Sequence, residues 1–203
     1  MTAAPPDRGK WFGFYGLTSS SGLGARADID VLRSGDSTLG IAAQFKHESR
    51  LVGVDDADTN YQSWPAPTTL TAAKLMAYAG HTLHLGDAWQ LRATVGVGVE
   101  LIDASISMAY DIETSNLMQA QDGITFVPSS EASLMIGAEL GGGWGLAAGL
   151  LAELDLMTPE IPVTFPVYFA ESPSPNTPAT STTNVAIDRG LEISAFAGLR
   201  HRF

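Results

Sequence analysis

The side chains best suited to chemistry are His47 and Ser49, one residue apart in Lys46-His47-Glu48-Ser49, with Asp55, Asp56 and Asp58 a little further on. A hydroxyl nucleophile needs a base within hydrogen-bond reach and a third group to orient that base. In extended chain, residues i and i+2 project from one face, so His47 and Ser49 can meet the first condition on a strand. The aspartates lack the ligand spacing, glycine and closing glutamate of a calcium loop and read as surface acids. His81, His84 and His201 fall where alternating segments end, which suits an interface better than a metal site. With no cysteine in the chain, disulfides, thiolate zinc sites and thiol nucleophiles are excluded. The net charge of -11 and pI of about 4.6 exclude a phosphate-binding basic face, so nucleic acid is no partner. No catalytic residue, metal or cofactor is assigned.

The elements that must hold these groups announce themselves by a period of two. From Leu91 to Leu101 the odd positions are Leu, Ala, Val, Val, Val and Leu, whereas the even positions from Gln90 to Glu100 are Gln, Arg, Thr, Gly, Gly and Glu. One face is wholly apolar and the other polar or glycine, which is a strand and not a helix. The pattern repeats in Leu23–Val31, Leu39–Phe45, Ala132–Leu140, Trp144–Leu156 and Leu191–Leu199. Thr69–Leu85 alternates less cleanly, with Lys74 and Tyr78 on its polar face, and Lys10–Thr18 is aromatic-rich with faces left open. This reading predicts an all-β fold, an antiparallel up-and-down barrel of about eight strands.

Hydrophobic residues make up 45% of the chain, yet no uninterrupted apolar run reaches the roughly 18 residues that a membrane helix needs. The polar faces carry glycine, alanine and a few charges of both signs, where a solvated face would be rich in long polar side chains. Small residues and opposite charges suit a narrow lumen. The apolar faces then point to lipid, and the barrel is a transmembrane one, placed in a bacterial outer membrane. One domain, 1–203, follows: a tail at 1–9, short turns near 33–36, 86–88 and 141–143, and long outer loops at about 51–68, 103–130 and 157–184. Trp11, Tyr15, Trp64 and Trp89 lie near strand ends, as an aromatic girdle requires. The first ten residues, MTAAPPDRGK, contain no apolar signal core; the expectation is a mature form that begins after a removed signal.

Parity places Arg26, Lys46, Arg92 and Arg200 in the lumen with Asp28, Asp30, Glu100, Glu131, Glu139, Glu153, Asp155 and Glu192. An eight-stranded interior is just filled by side chains, so the first reading is an ion-pair network that plugs the barrel. The excess of carboxylates leaves a narrow cation-preferring, porin-like passage as an alternative. Beyond Leu101 the apolar residues switch to even positions, at Ile102, Ile106, Met108, Tyr110 and Ile112. A strand that continues there turns them inward and makes an apolar mouth for a lipid or small hydrophobic ligand; a bulge or a loop folding on itself is the competing explanation. The last loop adds Phe165, Val167, Tyr168 and Phe169 among prolines, and those prolines keep it out of a ladder.

The final strand, GLEISAFAGLRHRF, alternates to a terminal Phe203 and resembles the C-terminal signature by which outer-membrane proteins are recognised by their assembly machinery. With the strand count, the chain resembles the small eight-stranded outer-membrane barrels of the OmpA, OmpX and OmpW types. The resemblance implies a non-enzymatic membrane protein with a structural or surface-interaction role and contacts to lipid and lipopolysaccharide. An alanine-rich lipid face is also open to a second copy, a homo-oligomer. His47-x-Ser49 resembles the pair that lipid A deacylases present towards lipid, which keeps a lipid A-modifying hydrolase as the enzyme alternative.

Overall fold

In the computed structural model, residues 9–54, 64–86, 88–106, 121–167 and 179–203 are described. Ten strands are present: β1 Trp11–Ser19, β2 Gly22–Ser34, β3 Ser37–Val54, β4 Trp64–His84, β5 Trp89–Ile106, β6 Gln121–Gly141, β7 Trp144–Asp155, β8 Glu160–Val167, β9 Ala179–Ala186 and β10 Leu191–Arg202. Eight of them close in the order β1-β10-β7-β6-β5-β4-β3-β2 with every neighbour antiparallel, and β8 and β9 form a separate two-stranded sheet. The barrel expected from the alternation is therefore present. Its seam is β1 on β10, from Trp11 opposite Arg202 to Ser19 opposite Ser194, and Lys10 and Phe203 exchange backbone hydrogen bonds just beyond it at 3.1 and 3.0 Å.

Apolar residues cover the outside. Cross-strand rows such as Phe45–Ala73–Leu101–Phe126 and Leu39–Ala79–Val95–Ala132 run round the barrel, and Phe14, Val95, Val97 and Leu150 are all more than half exposed. On β5 this band lasts from Leu91 to Leu101. At about 3.3 Å per residue and a tilt near 40° it stands roughly 25 Å tall, the thickness of an outer-membrane hydrocarbon layer. Above it the outward row becomes His47, Thr71 and Asp103, a polar rim.

The barrel is lopsided. β3 to β6 carry on past the band, to Val54, from Trp64, to Ile106 and from Gln121, so parts of the expected loops 51–68 and 103–130 are ladder. β7 and β10 stop low, near Asp155 and Leu191. The 157–184 segment is likewise no plain loop, because β8 and β9 pair through it with Pro162 and Pro166 in the ladder. A two-stranded sheet consists of edge strands only, and an edge is where proline is tolerated.

β1 resolves the face left open by its composition. Trp11 and Tyr15 point inward and are buried, while Phe12 and Phe14 point to lipid, so Trp11 and Tyr15 do not belong to the girdle. Trp89 and Trp144 are exposed at the short-turn end, where a girdle sits.

Candidate functional site

β5 passes from Glu100 to Ile106 without a register break, its partners running regularly from Lys74 to Thr68 on β4 and from Val127 to Gln121 on β6. The change of apolar parity therefore costs no bulge. The lumen-facing series changes from polar residues to Ile102, Ala104 and Ile106 where the outer apolar band ends, on the long-loop side. Bulges occur elsewhere, between Asp30 and Leu32 on β2 and between Glu139 and Gly141 on β6.

Ile102 and Ile106 pack with Leu70, Ala72, Ala104 and Val127 of the raised wall, and this apolar mouth is occupied: Ile161 of β8, Val185 of β9 and Ile187 just beyond β9 join the same buried cluster. A Cβ on Gly123 would lie 2.0 Å from Ile161 Cγ2, so glycine at this point of β6 is what lets the hairpin seat. Met108, Tyr110 and Phe169 lie outside the described residues, as do Asp55, Asp56 and Asp58, while Phe165 falls within β8.

Beneath the apolar layer stands a column of ion pairs. Arg189, in the segment leading into β10, donates to both oxygens of Glu100 at 2.9 and 2.6 Å and to both of Asp155 at 2.7 and 2.6 Å. Lys74 joins Glu100 at 3.3 Å and Glu153 at 2.5 Å. Lys46 meets Glu153, Glu192 at 3.3 Å and the Ser194 hydroxyl at 3.1 Å. Arg50 binds Glu48 at 2.7 Å. Lower down, Arg26 forms a fork on Glu131 at 2.7 and 2.6 Å, and Arg92 and Tyr78 share Asp30 at 2.5 and 2.9 Å. Tyr15, Phe196, Met135, Ala147 and Leu151 fill the rest of the cross-section.

Every charge placed in the lumen by parity is found on that face, with Glu139 at the short-turn rim beside Arg202 at 3.4 Å. The expected excess of acid is largely offset by Lys74, Arg50 and Arg189. Parity already marks Lys74, Glu48 and Arg50 as inward. Arg189 has no such signal, because only the fold-back of the hairpin brings it over the lumen. Within the column, the void lined by Lys74, Glu153, Asp155, Arg189, Gly190 and Glu192 is about 10 Å³, room for one water at most.

Arg200 is the exception. It is 1% exposed, its guanidinium lies 4.2 Å from the Trp11 ring centre, and none of its three nitrogens has a hydrogen-bond partner among the described residues. Gly137 makes its place, since a Cβ there would stand 2.4 Å from Nη2.

His47 and Ser49 do share the outward face, just above the apolar band. His47 Nδ1 is 3.2 Å from the Thr71 hydroxyl, and the residue opposite Thr71 on β5 is Asp103. The three other histidines are separate: His81 with Ser37 at 3.4 Å, His84 with Asp36 at 3.4 Å, and His201 edge-on to Trp144 at 4.7 Å.

An oily outer belt around a charged, closed interior has only one stable surrounding, a bilayer. The chain is a membrane-spanning β-barrel. No family model matches it, and no curated protein matches its sequence. Among solved structures, this barrel is similar to a major outer membrane protein from Thermus thermophilus, with a TM-score of 0.64 at 12% identity over 96% of this chain and 99% of that one. Weaker likenesses are to Neisserial surface protein A (TM-score 0.44, 13% identity, 96% and 94% covered) and to Ail of Yersinia pestis (0.41, 9%, 96% and 97%). The Thermus barrel supports the fold; the barrel's exterior, with its membrane-high band, supports the location.

Proposed function

We propose that this barrel is a non-conducting, non-enzymatic outer-membrane protein whose working surface is its raised extracellular side, where the apolar mouth engages a lipid or small hydrophobic ligand. One observation carries the reading: apolar side chains gather on the inner face of the projecting wall, directly above a lumen closed by ion pairs. Apolar groups above the bilayer bring no advantage to membrane insertion; here they are buried against Ile161, Val185 and Ile187, and on this reading a ligand competes with the hairpin for the same contact. A pore fits poorly, since salt-bridged side chains span the cross-section. Phe203 follows β10, the strand that closes the barrel against β1, assembly machinery is the partner on this reading for that closing strand, and lipopolysaccharide is the neighbour that the polar rim at His47, Thr71 and Asp103 would meet.

The hydrolase alternative has His47 and Ser49 on the required face, but a threonine hydroxyl stands where a carboxylate would orient the imidazole. Two measurements test the proposal together. Planar-bilayer recordings are expected to show no discrete steps, and mass spectrometry of purified protein is expected to find acyl species that an Ile102→Asp protein loses. Stepwise conductance, or clean protein in several detergents, overturns it.

A further inference from the structure

The β8–β9 hairpin sits in the mouth as a ligand would. Among the described residues it shares no hydrogen-bonded ladder with the barrel; those that hold it there include Ile161, Val185 and Ile187 in the apolar cluster and, immediately after it, Arg189 on Glu100 and Asp155. These groups together describe one chemical shape: a branched aliphatic body, then a planar cation with four hydrogen bonds to two carboxylates. Glu100 is 1% exposed, and its other cation, Lys74, is divided between it and Glu153. Once Arg189 leaves, Glu100 and Asp155 become buried carboxylates short of a partner at the floor of an apolar chamber, an arrangement that strongly demands a replacement cation. Gly190, at φ +56°, adjoins Arg189 at the point where the hairpin meets β10.

Resting on the mouth-binding reading above, we infer that the hairpin is a built-in pseudo-ligand, and that the mouth's own ligand is an amphiphile with a cationic ammonium or guanidinium head. Its head takes the place of Arg189 on Glu100 and Asp155, and its aliphatic part takes the place of Ile161, Val185 and Ile187 against Leu70, Ile102, Ile106 and Val127. A neutral amphiphile leaves Asp155 without the cation it had and Glu100 with only its share of Lys74, and an anionic one is repelled by them.

The chain's lack of cysteine allows the exchange to be locked. A Cβ at position 123 would lie 3.4 Å from Ile161 Cβ, close to the roughly 3.5–4.5 Å of a disulfide. A Gly123→Cys/Ile161→Cys protein in zwitterionic nanodiscs is titrated calorimetrically with octylguanidinium, octanol and octyl sulfate, oxidised and then reduced, against empty nanodiscs. The oxidised and reduced forms are one polypeptide, so heat-modifiable gel migration certifies the fold of both. The expected result is binding of octylguanidinium to the reduced protein and to wild type, about tenfold or more weaker to the oxidised form, with octanol and octyl sulfate about tenfold or more weaker than octylguanidinium throughout. Equal binding to oxidised and reduced protein overturns the inference, because the ligand then sits elsewhere. Octanol or octyl sulfate binding the reduced form as well as the cation overturns the head-group assignment and leaves the mouth reading standing. No binding of any of the three to reduced protein overturns both.

Discussion

Arg26 and Arg200 are both buried in one narrow lumen, yet their circumstances are opposite. Arg26 has a two-pronged partner in Glu131, whereas Arg200 has the Trp11 face and no hydrogen-bond acceptor among the described residues. Breaking a buried pair strands the remaining charge and costs about 3–5 kcal/mol, while replacing an ill-satisfied charge by an apolar group of similar volume is near neutral or stabilising. Arg26→Met is therefore expected to lower the unfolding free energy in detergent and urea by about 3–5 kcal/mol, and Arg200→Met to change it by less than about 1 kcal/mol. Equal losses for the two would show that guanidinium packing, and not pairing, is what counts in the column. The pairing itself was partly legible from parity. Arg26, Lys46 and Arg92 follow from alternation alone, but which carboxylate each one takes depends on the barrel's circumference, as with Lys46 on β3 meeting Glu153 on β7.

Among the elements, the β8–β9 hairpin is the one that the sequence disguised most. Its prolines argue against a strand in a sheet interior and are harmless in a pair of edge strands. Because β10 pairs with β7 directly, through Leu191 on Leu154 to His201 on Trp144, the barrel can close without the hairpin. Replacing residues 159–187 by a short flexible linker is thus expected to preserve heat-modifiable migration and β-rich circular dichroism. It should expose the Leu70, Ile102 and Ile106 surface, read as increased binding of an apolar fluorescent dye, and reduce stability on the scale of about 1.5–3 kcal/mol for each buried aliphatic side chain removed. Bilayer recordings should stay silent, since Lys46, Lys74 and Arg26 keep their partners below. A hairpin-less protein that conducts would place the seal in the hairpin and not in the column.

For the whole molecule, the decisive quantity is the orientation of the apolar surface. Val97 lies midway along the band of β5, and Asp103 lies at its outer edge. A charged substitution on the lipid face costs about 2–4 kcal/mol at the midplane and about 0–1 near the interface. Val97→Arg is accordingly expected to destabilise the barrel in lipid vesicles by about 2–4 kcal/mol and Asp103→Arg by about 1 kcal/mol or less. A soluble barrel would reverse the logic, with an arginine at an exterior position nearly free. Loss of the depth dependence would remove the membrane assignment.

Alternation along the chain determined the eight barrel strands within the apolar band, their number, the inward and outward sets on all but β1, and the membrane as surroundings. Each of these follows from a local rule: successive side chains point to opposite faces, and lipid accepts only apolar ones. Tertiary structure alone decided that Trp11 and Tyr15 turn inward, that β3 to β6 rise above their neighbours, and that Arg189 descends from a returning hairpin onto Glu100 and Asp155. Aromatic-rich β1 has no polar face to give its parity away. Arg189 sits outside any strand, where period two has no meaning. Its position depends on where a chain segment comes back in space, and no spacing within the sequence records that.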